Sequence, residues 1–266
     1  MKIVISALHF DWRDIADCLA KATGDLGLDG VELSWNESFG RPHCTAADID
    51  ALAALRGRHR ALLSAHIWNN IAESEPAKAA KDLLQWLQVC ERTGTNNLVV
   101  HGGSYSGRDE GIARTRRVLE GVLAEFERKR VVLNLENHYA YQYRNCHELF
   151  STAAEFTRVL WLDSQSLKFC FDTGHGNMTG TTAELLSDLA PWLNYVHLAD
   201  NMGIDDDHLA FRQGTVEWDD VFAQMLNISY NGVFCVEFPV RADRDPFHAC
   251  VREIRDRWHK TGIGAG

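Results

Sequence analysis

KFCFDTGHGNMTG, residues 168–180, is the stretch that decides the fold. It continues an apolar run over residues 167–171 of the kind that a fully buried strand shows. The run stops at Asp172, and His175 follows three residues later between two glycines that let the backbone turn sharply. Parallel α/β proteins place their chemistry at the carboxyl ends of such strands, which makes both side chains candidates for a site. Taken alone, the pattern also fits an Asp172 that caps the next helix and a His175 at the surface.

The same pattern of an apolar run followed by polar side chains recurs along the whole chain. Apolar runs predict strands over residues 2–7, 29–34, 61–65, 97–100, 131–135, 167–171, 195–198 and 232–236. Segments with one apolar helical face alternate with them and predict helices over residues 14–23, 45–58, 76–93, 114–130, 147–160, 182–193, 217–226 and 246–258. Pro76 and Pro246 each open a helix at its first turn.

Continuous apolar strands that alternate with helices indicate a parallel sheet covered on both faces. Eight such repeats in 266 residues close most naturally into a (β/α)8 TIM barrel, and residues 1–266 are predicted to form one domain. An open, doubly wound α/β sheet is the alternative. That fold would be expected to have a glycine-rich phosphate loop after the first strand, and SALHFDW at residues 6–12 contains no glycine.

Composition and charge argue against several classes of protein. Acidic residues outnumber basic ones by 37 to 27, for a net charge of −10, which argues against a nucleic-acid partner. No apolar run approaches the roughly 20 residues that cross a bilayer, and the amino terminus does not resemble a signal peptide. We therefore expect a soluble, cytoplasmic protein with a small-molecule partner and no membrane partner. The seven cysteines include no C-x-x-C pair, which argues against a disulfide framework or a thiolate zinc site.

Candidate metal ligands follow the predicted strands from the third to the eighth. In a (β/α)8 barrel these positions meet at one face, where the active site lies. Carboxylates that converge there repel one another unless a cation neutralises them, so the pattern indicates a divalent metal ion. Each residue alone could be an ordinary core or surface residue, but leaving several of them buried and unpaired would cost several kcal/mol each. The candidates are His66, His101, Glu136, Asp172, His175, His197, Asp200, Asp206, His208 and Glu237.

Motifs at the predicted strand ends resemble the xylose isomerase-like TIM-barrel superfamily, which contains sugar isomerases, sugar epimerases and endonuclease IV. These motifs are LENH at 135–138, FDTGH at 171–175, VHLADN at 196–201 and VEF at 236–238. The run HLADNMGIDDDHLAFRQGTVEW at 197–218 is similar to a segment of proteins grouped as sugar phosphate isomerases/epimerases. It departs near its end, where Arg212, Gln213 and Gly214 replace Gly-Glu-Gly. The resemblance covers essentially the whole chain.

The resemblance to sugar epimerases implies one divalent ion, Mn2+, Mg2+, Co2+ or Zn2+, in a site rich in oxygen ligands. Its ligands would be Glu136, Asp172, His197 and Glu237. Glu136 and Glu237 would also be the acid/base pair that moves a proton through a metal-stabilised enediolate. The expected substrate-binding residues are His175, Asp200, Trp68 and His66. One departure is Gly203, which stands where those epimerases commonly have an arginine.

The resemblance to endonuclease IV implies instead a cluster of up to three zinc ions that hydrolyses a phosphate ester. The first ion would use His66, His101, Glu136 and Glu237; the second Glu136, Asp172, His197 and Glu237; the third His175, Asp206 and His208. His66 and His101 do not belong to the ligand set of a one-metal epimerase, whereas the acidic composition does not suit a DNA repair enzyme. A non-catalytic barrel that binds a metal or a sugar is a third alternative.

We therefore predict a metal-dependent isomerase or epimerase of a small sugar or sugar derivative, with the multi-metal hydrolase as the main alternative. Aromatic and amide side chains after the strands are expected either to wall in the substrate or to pack on the barrel. They are Trp35, Trp68, Asn69, Tyr105 and Tyr139. Glu32, in the second predicted strand, is expected to have a structural or capping role, with contact to the substrate as the alternative.

Overall fold

The computed structural model describes residues 1–9, 15–35, 46–59, 61–143, 145–240 and 244–262. Its barrel strands are β1 Lys2–Ser6, β2 Gly30–Trp35, β3 Leu62–Ile67, β4 Asn97–Val100, β6 Val132–Glu136, β9 Leu167–Asp172, β10 Leu193–Leu198 and β11 Val233–Val236. These eight strands pair in parallel in the order β1-β2-β3-β4-β6-β9-β10-β11, and β11 closes the barrel on β1. The predicted (β/α)8 fold is confirmed.

Helices follow the strands and cover the outside of the barrel. They are α1 Ile15–Ala20, α2 Ala46–His59, α3 Pro76–Thr93, α4 Arg108–Lys129, α5 Ala153–Leu160, α6 Thr173–Thr179, α7 Thr182–Asp188, α8 Trp218–Asn227 and α9 Asp245–Thr261. Helix α3 has Pro76 in its first turn and ends at Gly94, whose φ of 65° is the left-handed conformation that glycine adopts easily. Both signals are visible in the sequence, and this predicted helix is confirmed. Thr45, the first residue of the predicted helix over residues 45–58, lies outside the described residues.

The core has two parts because the side chains of a strand point alternately to its two faces. In β1, Ile3 and Ile5 belong to the main core between strands and helices, while Val4 points into the barrel. The interior cluster contains Val4, Val99, Cys170, Tyr195, Val233 and Cys235. Residues two positions further along the chain share the inward face, so the barrel interior becomes polar toward its carboxyl end. These polar residues include His101, Asp172, His197 and Glu237.

A small antiparallel sheet that the sequence did not predict interrupts the loops after β4 and β6. It consists of β5 Ser104–Tyr105, β7 Gln142–Tyr143 and β8 Cys146–Glu148, in the order β5-β8-β7. The predicted helix over residues 147–160 is therefore wrong in its first part, since α5 begins only at Ala153. Phe150, with a φ of 65°, interrupts any helix through this segment.

Other boundaries differ from the prediction as well, and α4 begins at Arg108 where the predicted helix begins at residue 114. Helix α6 follows β9 directly, and Asp172 caps it, because the backbone N–H of His175 donates to Asp172 Oδ1 at 2.7 Å. The predicted helix over residues 182–193 ends earlier because a 3-10 turn, Ala190–Trp192, precedes β10. Within the ranges described above, no helix combines the length and apolar character needed to cross a membrane.

Candidate metal centre

The carboxyl ends of β6, β9, β10 and β11 bring four predicted ligands into one buried group. Glu136 ends β6, Asp172 ends β9, His197 pairs with Asp172 in the strand register, and Glu237 directly follows β11. Ligand atoms of these four side chains lie within 4.8 Å of one another. His197 Nδ1 is 2.9 Å from Glu136 Oε1 and 3.2 Å from Glu237 Oε2. None of the four residues is more than 2% exposed, so the group is shielded from solvent.

Asn137 fixes the relative position of β6 and β9. Its side-chain amide donates to the Asp172 carbonyl oxygen at 3.1 Å, and its side-chain oxygen accepts the Asp172 backbone N–H at 2.7 Å. The Asn137 backbone carbonyl in turn accepts a hydrogen bond from His175 Nδ1 at 2.9 Å. The motif LENH therefore supplies the candidate ligand Glu136. It also supplies Asn137, which holds the candidate ligands Asp172 and His175 in place.

His66 and His101 form a second group around the same glutamate. His101 Nε2 lies 3.0 Å and His66 Nε2 3.2 Å from Glu136 Oε2, and the two Nε2 atoms are 2.9 Å apart. These three side chains also have the spacing of a metal site. Glu136 thus belongs to both groups, with Oε1 directed to His197 and Oε2 directed to the histidine pair.

His175, Asp206 and His208 form a third group, nearer to solvent. Asp206 Oδ2 is 3.4 Å from His175 Nε2 and 3.3 Å from His208 Nε2. Each ring is held by its other nitrogen, because His175 Nδ1 donates to the Asn137 carbonyl and His208 Nδ1 donates to the Glu237 carbonyl at 2.6 Å. Both Nε2 atoms are therefore directed at one carboxylate oxygen.

Glu32 lies in the site, although the sequence favoured a structural or capping role over contact with the substrate. It is fully buried, and its Oε2 is 2.9 Å from His197 Nε2. Its Oε1 is 3.8 Å from His66 Nδ1. The set Glu32, His66, His197 and Glu237 has the spacing of a metal site as well. The signal in the sequence was a lone glutamate inside the apolar strand GVELSW, residues 30–35.

The prediction that Asp200 binds substrate does not fit its surroundings. Asp200 has no exposed surface. Its Oδ1 accepts the backbone N–H groups of Asn201 and Val216 at 2.9 and 3.1 Å, and its Oδ2 accepts the indole N–H of Trp218 at 2.9 Å. Both oxygens are thus occupied by protein donors, and Asp200 anchors the loop after β10 instead of facing a ligand.

Buried charges of opposite sign balance one another in this site. Burial by itself would lower the pKa of His66, but the Glu136 carboxylate and a hydrogen bond to Glu237 raise that pKa to about 10. Surrounding acidic groups likewise raise the pKa of His197 well above its usual value against the effect of burial. Burial raises the pKa of Asp172 to about 6, in spite of the nearby His175.

The donor set fits a divalent metal ion. Protonated imidazoles supply the positive charge that the buried carboxylates require, and a divalent cation supplies the same charge when it replaces those protons. One buried carboxylate oxygen, Glu32 Oε1, has no hydrogen-bond partner. A buried carboxylate oxygen requires a donor or a cation, so this atom also favours a bound cation. Carboxylate oxygens and imidazole nitrogens suit Mg2+, Mn2+, Co2+ and Zn2+.

Aromatic rings line the face formed by the carboxyl ends of the strands, which we call the barrel mouth. Trp68 is 39% exposed, and its ring centroid is 5.3 Å from that of His101. His138 stacks on His175 at 4.5 Å, and Tyr139 lies 5.4 Å from His175. Tyr105 lies beside α4, where its hydroxyl donates to Glu110. Asn69 is half-buried next to Trp68, and the side chain of Trp35 lies outside the described part of the chain.

The fold and the strand-end residues together define a family. The family described as xylose isomerase-like TIM barrel matches residues 20–260, and the chain belongs to it. An uncharacterized protein of Methanocaldococcus jannaschii is 35% identical over 79 residues, which is 29% of this chain. The match spans only 27% of that protein's length.

Solved structures with the same architecture include both enzyme types that the motifs resemble. A D-tagatose 3-epimerase-like protein has a TM-score of 0.79 and 20% identity over 98% of each chain. A D-psicose 3-epimerase crystallised in the presence of D-fructose has a TM-score of 0.78 and 15% identity, over 99% of this chain and 100% of the other. Endonuclease IV from Thermus thermophilus has a TM-score of 0.71 and 20% identity, over 98% and 100%. At these identities the likeness shows the fold.

Proposed function

We propose that the protein is a divalent-metal-dependent isomerase or epimerase of a small, uncharged sugar. The observation that carries the proposal is the placement of two glutamates around one imidazole. Glu136 and Glu237 come from β6 and β11, which β9 and β10 separate in the barrel, yet both lie within 3.2 Å of His197 Nδ1. Two carboxylates that flank one small site from different sides are suited to remove and return a proton.

The proposed roles follow from the positions of the side chains. Glu136, Asp172, His197 and Glu237 would hold the ion. A divalent ion bound there would polarise a substrate carbonyl and acidify the adjacent C–H. Glu136 and Glu237 would exchange that proton with the carbon through an enediolate. His175 would contact a substrate oxygen through Nε2, since its Nδ1 is held by the Asn137 carbonyl. Trp68 and His66 line the same space.

The charge of the barrel mouth supports an uncharged substrate. Phosphate groups are usually bound by Arg or Lys. No such residue occurs in the described mouth segments 67–75, 101–107, 137–143, 145–152, 173–181, 199–211 and 237–240. Arg108 follows the second of them and donates to Glu155 and Ser151, while Arg244, after β11, is exposed. Arg212, just beyond the segment 199–211, donates to Asp219 and Glu253 instead. The part of the mouth formed by these segments therefore favours a neutral sugar over a sugar phosphate.

A metal-dependent hydrolase is the second candidate, and one observation favours it. The pair His66 and His101 surrounds Glu136 Oε2, and the group around Asp206 offers a further set of ligands. Up to three ions could be held by the three groups together. Such a cluster would lower the pKa of a bound water and clamp a phosphate ester, which a one-metal isomerase does not need.

Deuterium exchange separates these candidates. The Mn2+-loaded protein is incubated with a panel of neutral ketoses in deuterated water, and in parallel with phosphate esters. The proposal expects deuterium to appear at carbon next to the carbonyl during turnover. Turnover of phosphate esters alone would establish the hydrolase instead. Sugar binding with neither reaction would indicate a non-catalytic barrel.

A further inference from the structure

We propose that the substrate carries a second neutral sugar ring, which lies on a strip of tyrosines leading away from the metal centre. This inference rests on the proposed function. The strip consists of Tyr139, Tyr141 and Tyr143, alternate residues of an extended segment that ends in β7. Alternate residues of an extended chain project to the same side, which makes one continuous aromatic surface.

The strip begins at the site and runs outward in regular steps. The Tyr139 ring is 5.4 Å from that of His175, Tyr141 is 5.9 Å from Tyr139, and Tyr143 stacks on Tyr141 at 6.3 Å with 15° between the planes. Exposure rises along the way, since Tyr139 is half-buried while Tyr141 and Tyr143 are 49% and 54% exposed. A ligand that contacts His175 and extends toward solvent therefore passes along these aromatic rings.

The distribution of exposed apolar side chains also points to a ligand at the mouth. Trp68, Tyr141, Tyr143, Met202 and Ile204 follow the carboxyl ends of barrel strands, and in the described chain only Trp161 among the exposed large hydrophobic residues lies elsewhere. Trp161 follows α5 and precedes β9, which places it at the opposite end of the barrel. Among the residues at the mouth, Tyr141 and Tyr143 are in ring contact and form a contiguous exposed apolar surface, which is the kind that marks a binding region.

Chemistry selects a neutral sugar ring as the occupant of the strip. The flat C–H faces of a pyranose pack on aromatic rings, and tyrosine hydroxyls can hydrogen-bond its edge. The described charges that act on Tyr139 are the acidic groups Asp206, Glu148 and Asp205, and they disfavour an anionic group beside this ring. A glycosyl ring attached to the reacting ketose satisfies both conditions.

The test compares a ketose with and without an attached ring. D-fructose is compared with maltulose and isomaltulose, which carry a glucosyl ring at O4 or O6 of fructose. We expect the Mn2+-loaded protein to favour the glucosyl ketoses in kcat/KM. Tyr141→Ala should lower kcat/KM for them about three- to tenfold and leave that for fructose within about twofold, as the loss of one aromatic contact implies. Trp161→Ala, which removes an even more exposed aromatic ring at the far end, should change neither.

A binding measurement keeps the strip testable if no ketose turns over. Saturation-transfer NMR with maltulose should show the strongest transfer to the glucosyl protons in the wild type and weak transfer in Tyr141→Ala. If that result is obtained and no ketose is turned over, the proposed reaction is overturned, but the proposed binding of a second sugar ring on the strip is supported. The proposed role of the strip would be overturned if Tyr141→Ala affected fructose and maltulose equally, or if maltulose did not bind at all. It would also be overturned if Tyr141→Ala changed only the oligomeric state of the protein.

We also infer that Glu32 is a positioning residue for His197, on independent evidence. His197 directs Nδ1 to Glu136 and Glu237, and directs Nε2 to Glu32 Oε2 at 2.9 Å. When Nδ1 binds a metal ion, Nε2 must carry the hydrogen, and the Glu32 carboxylate accepts it. Outer carboxylates of this kind fix the tautomer and ring orientation of metal-binding histidines.

Metal affinity tests the role of Glu32, because the dissociation constant for Mn2+ would not change if Glu32 had a purely structural role. Titration calorimetry with Mn2+ should give a dissociation constant raised about tenfold in Glu32→Gln, which keeps an acceptor oxygen, and up to about 100-fold in Glu32→Leu. Glu155→Gln is the matched control, because Glu155 is a nearly buried carboxylate that pairs with Arg108 away from the site. That variant should bind Mn2+ like the wild type.

A second measurement needs no substitution at Glu32. Nitrogen-15 NMR of the Zn2+-loaded wild type should show His197 protonated at Nε2 and not at Nδ1. Protonation at Nδ1, or Mn2+ affinities of folded Glu32→Gln and Glu32→Leu within a factor of about two of the wild type, would overturn the assignment.

Discussion

Glu136 has more ionic neighbours in the site than its position at a strand end would suggest. One of its oxygens faces His197 and the other faces His66 and His101. The positive charge of these imidazoles holds the pKa of the Glu136 carboxyl well below its usual value although burial opposes this. Removing its charge should therefore affect ion binding and proton transfer together.

Glu136→Gln tests that role. The substitution keeps size and hydrogen-bonding capacity but removes the charge, so we expect turnover to fall by about 10²–10⁴-fold with an unchanged circular dichroism spectrum. Turnover is measured at saturating Mn2+ to separate catalysis from weaker metal binding. Near-normal turnover would show that the acid/base pair is wrongly assigned.

Glu148, in the small sheet at the mouth, provides a pH-dependent prediction. Burial raises the pKa of this carboxyl to about 7, although His175 opposes the shift. A pKa raised above the usual value of about 4.3 means that the folded state favours the protonated form. Its contribution to stability is complete below about pH 4 and is lost as the pH rises through about 7.

Glu148→Gln mimics the protonated form and should remove this dependence. We expect the variant to be more stable than the wild type at pH 8, and the difference to shrink toward pH 5. Thermal melts at both pH values measure the effect. A difference that grows on acidification would contradict the burial of this carboxyl.

At the scale of elements, the loop after β10 connects the fold to the third ligand group. It carries Asp206 and His208, and Asp200 holds both of its ends. Besides its side-chain bonds to Val216 and Trp218, Asp200 forms a two-way backbone bridge with Leu209. Gly214 packs so closely on this anchor that a Cβ there would overlap the Asn201 carbonyl.

Asp200→Asn should loosen this loop. An amide cannot accept the hydrogen bonds made by both carboxylate oxygens, so a buried donor from Val216 or Trp218 loses its partner at a cost of about 1–3 kcal/mol. Urea unfolding and the rate of proteolytic cleavage within residues 201–217 measure the change. Unchanged stability together with a raised KM would restore the substrate-binding role that the sequence suggested.

Elements could be predicted from sequence where the local signals agree. Helix α3 has a proline at its start, a glycine at its end and an apolar face between, and its predicted bounds are confirmed. The segment before α5 has an apolar periodicity that fits a helix, but Phe150 adopts a left-handed conformation and residues 146–148 pair with β5 and β7. Such pairing depends on loops distant in sequence, and no local pattern reveals it.

At the scale of the whole molecule, closure of the barrel explains why most of the site was predictable. Parallel strands that close on themselves must bring their carboxyl ends together, so residues at those ends meet whatever their separation in sequence. The contact of Glu32 with His197 was not predicted because Glu32 lies mid-strand in β2 and the contact runs across the barrel interior. The hydrogen bonds of Asp200 were not predicted for a related reason, since its partners come from a loop whose path the sequence does not specify.

The most direct test of the account is a crystal grown with Mn2+ and measured at a wavelength where manganese scatters anomalously. We predict an anomalous peak bounded by Glu136, Asp172, His197 and Glu237, at metal–ligand distances of about 2.0–2.2 Å. A crystal with these four side chains in place and no manganese between them, at a concentration that saturates the protein in solution, would contradict the account.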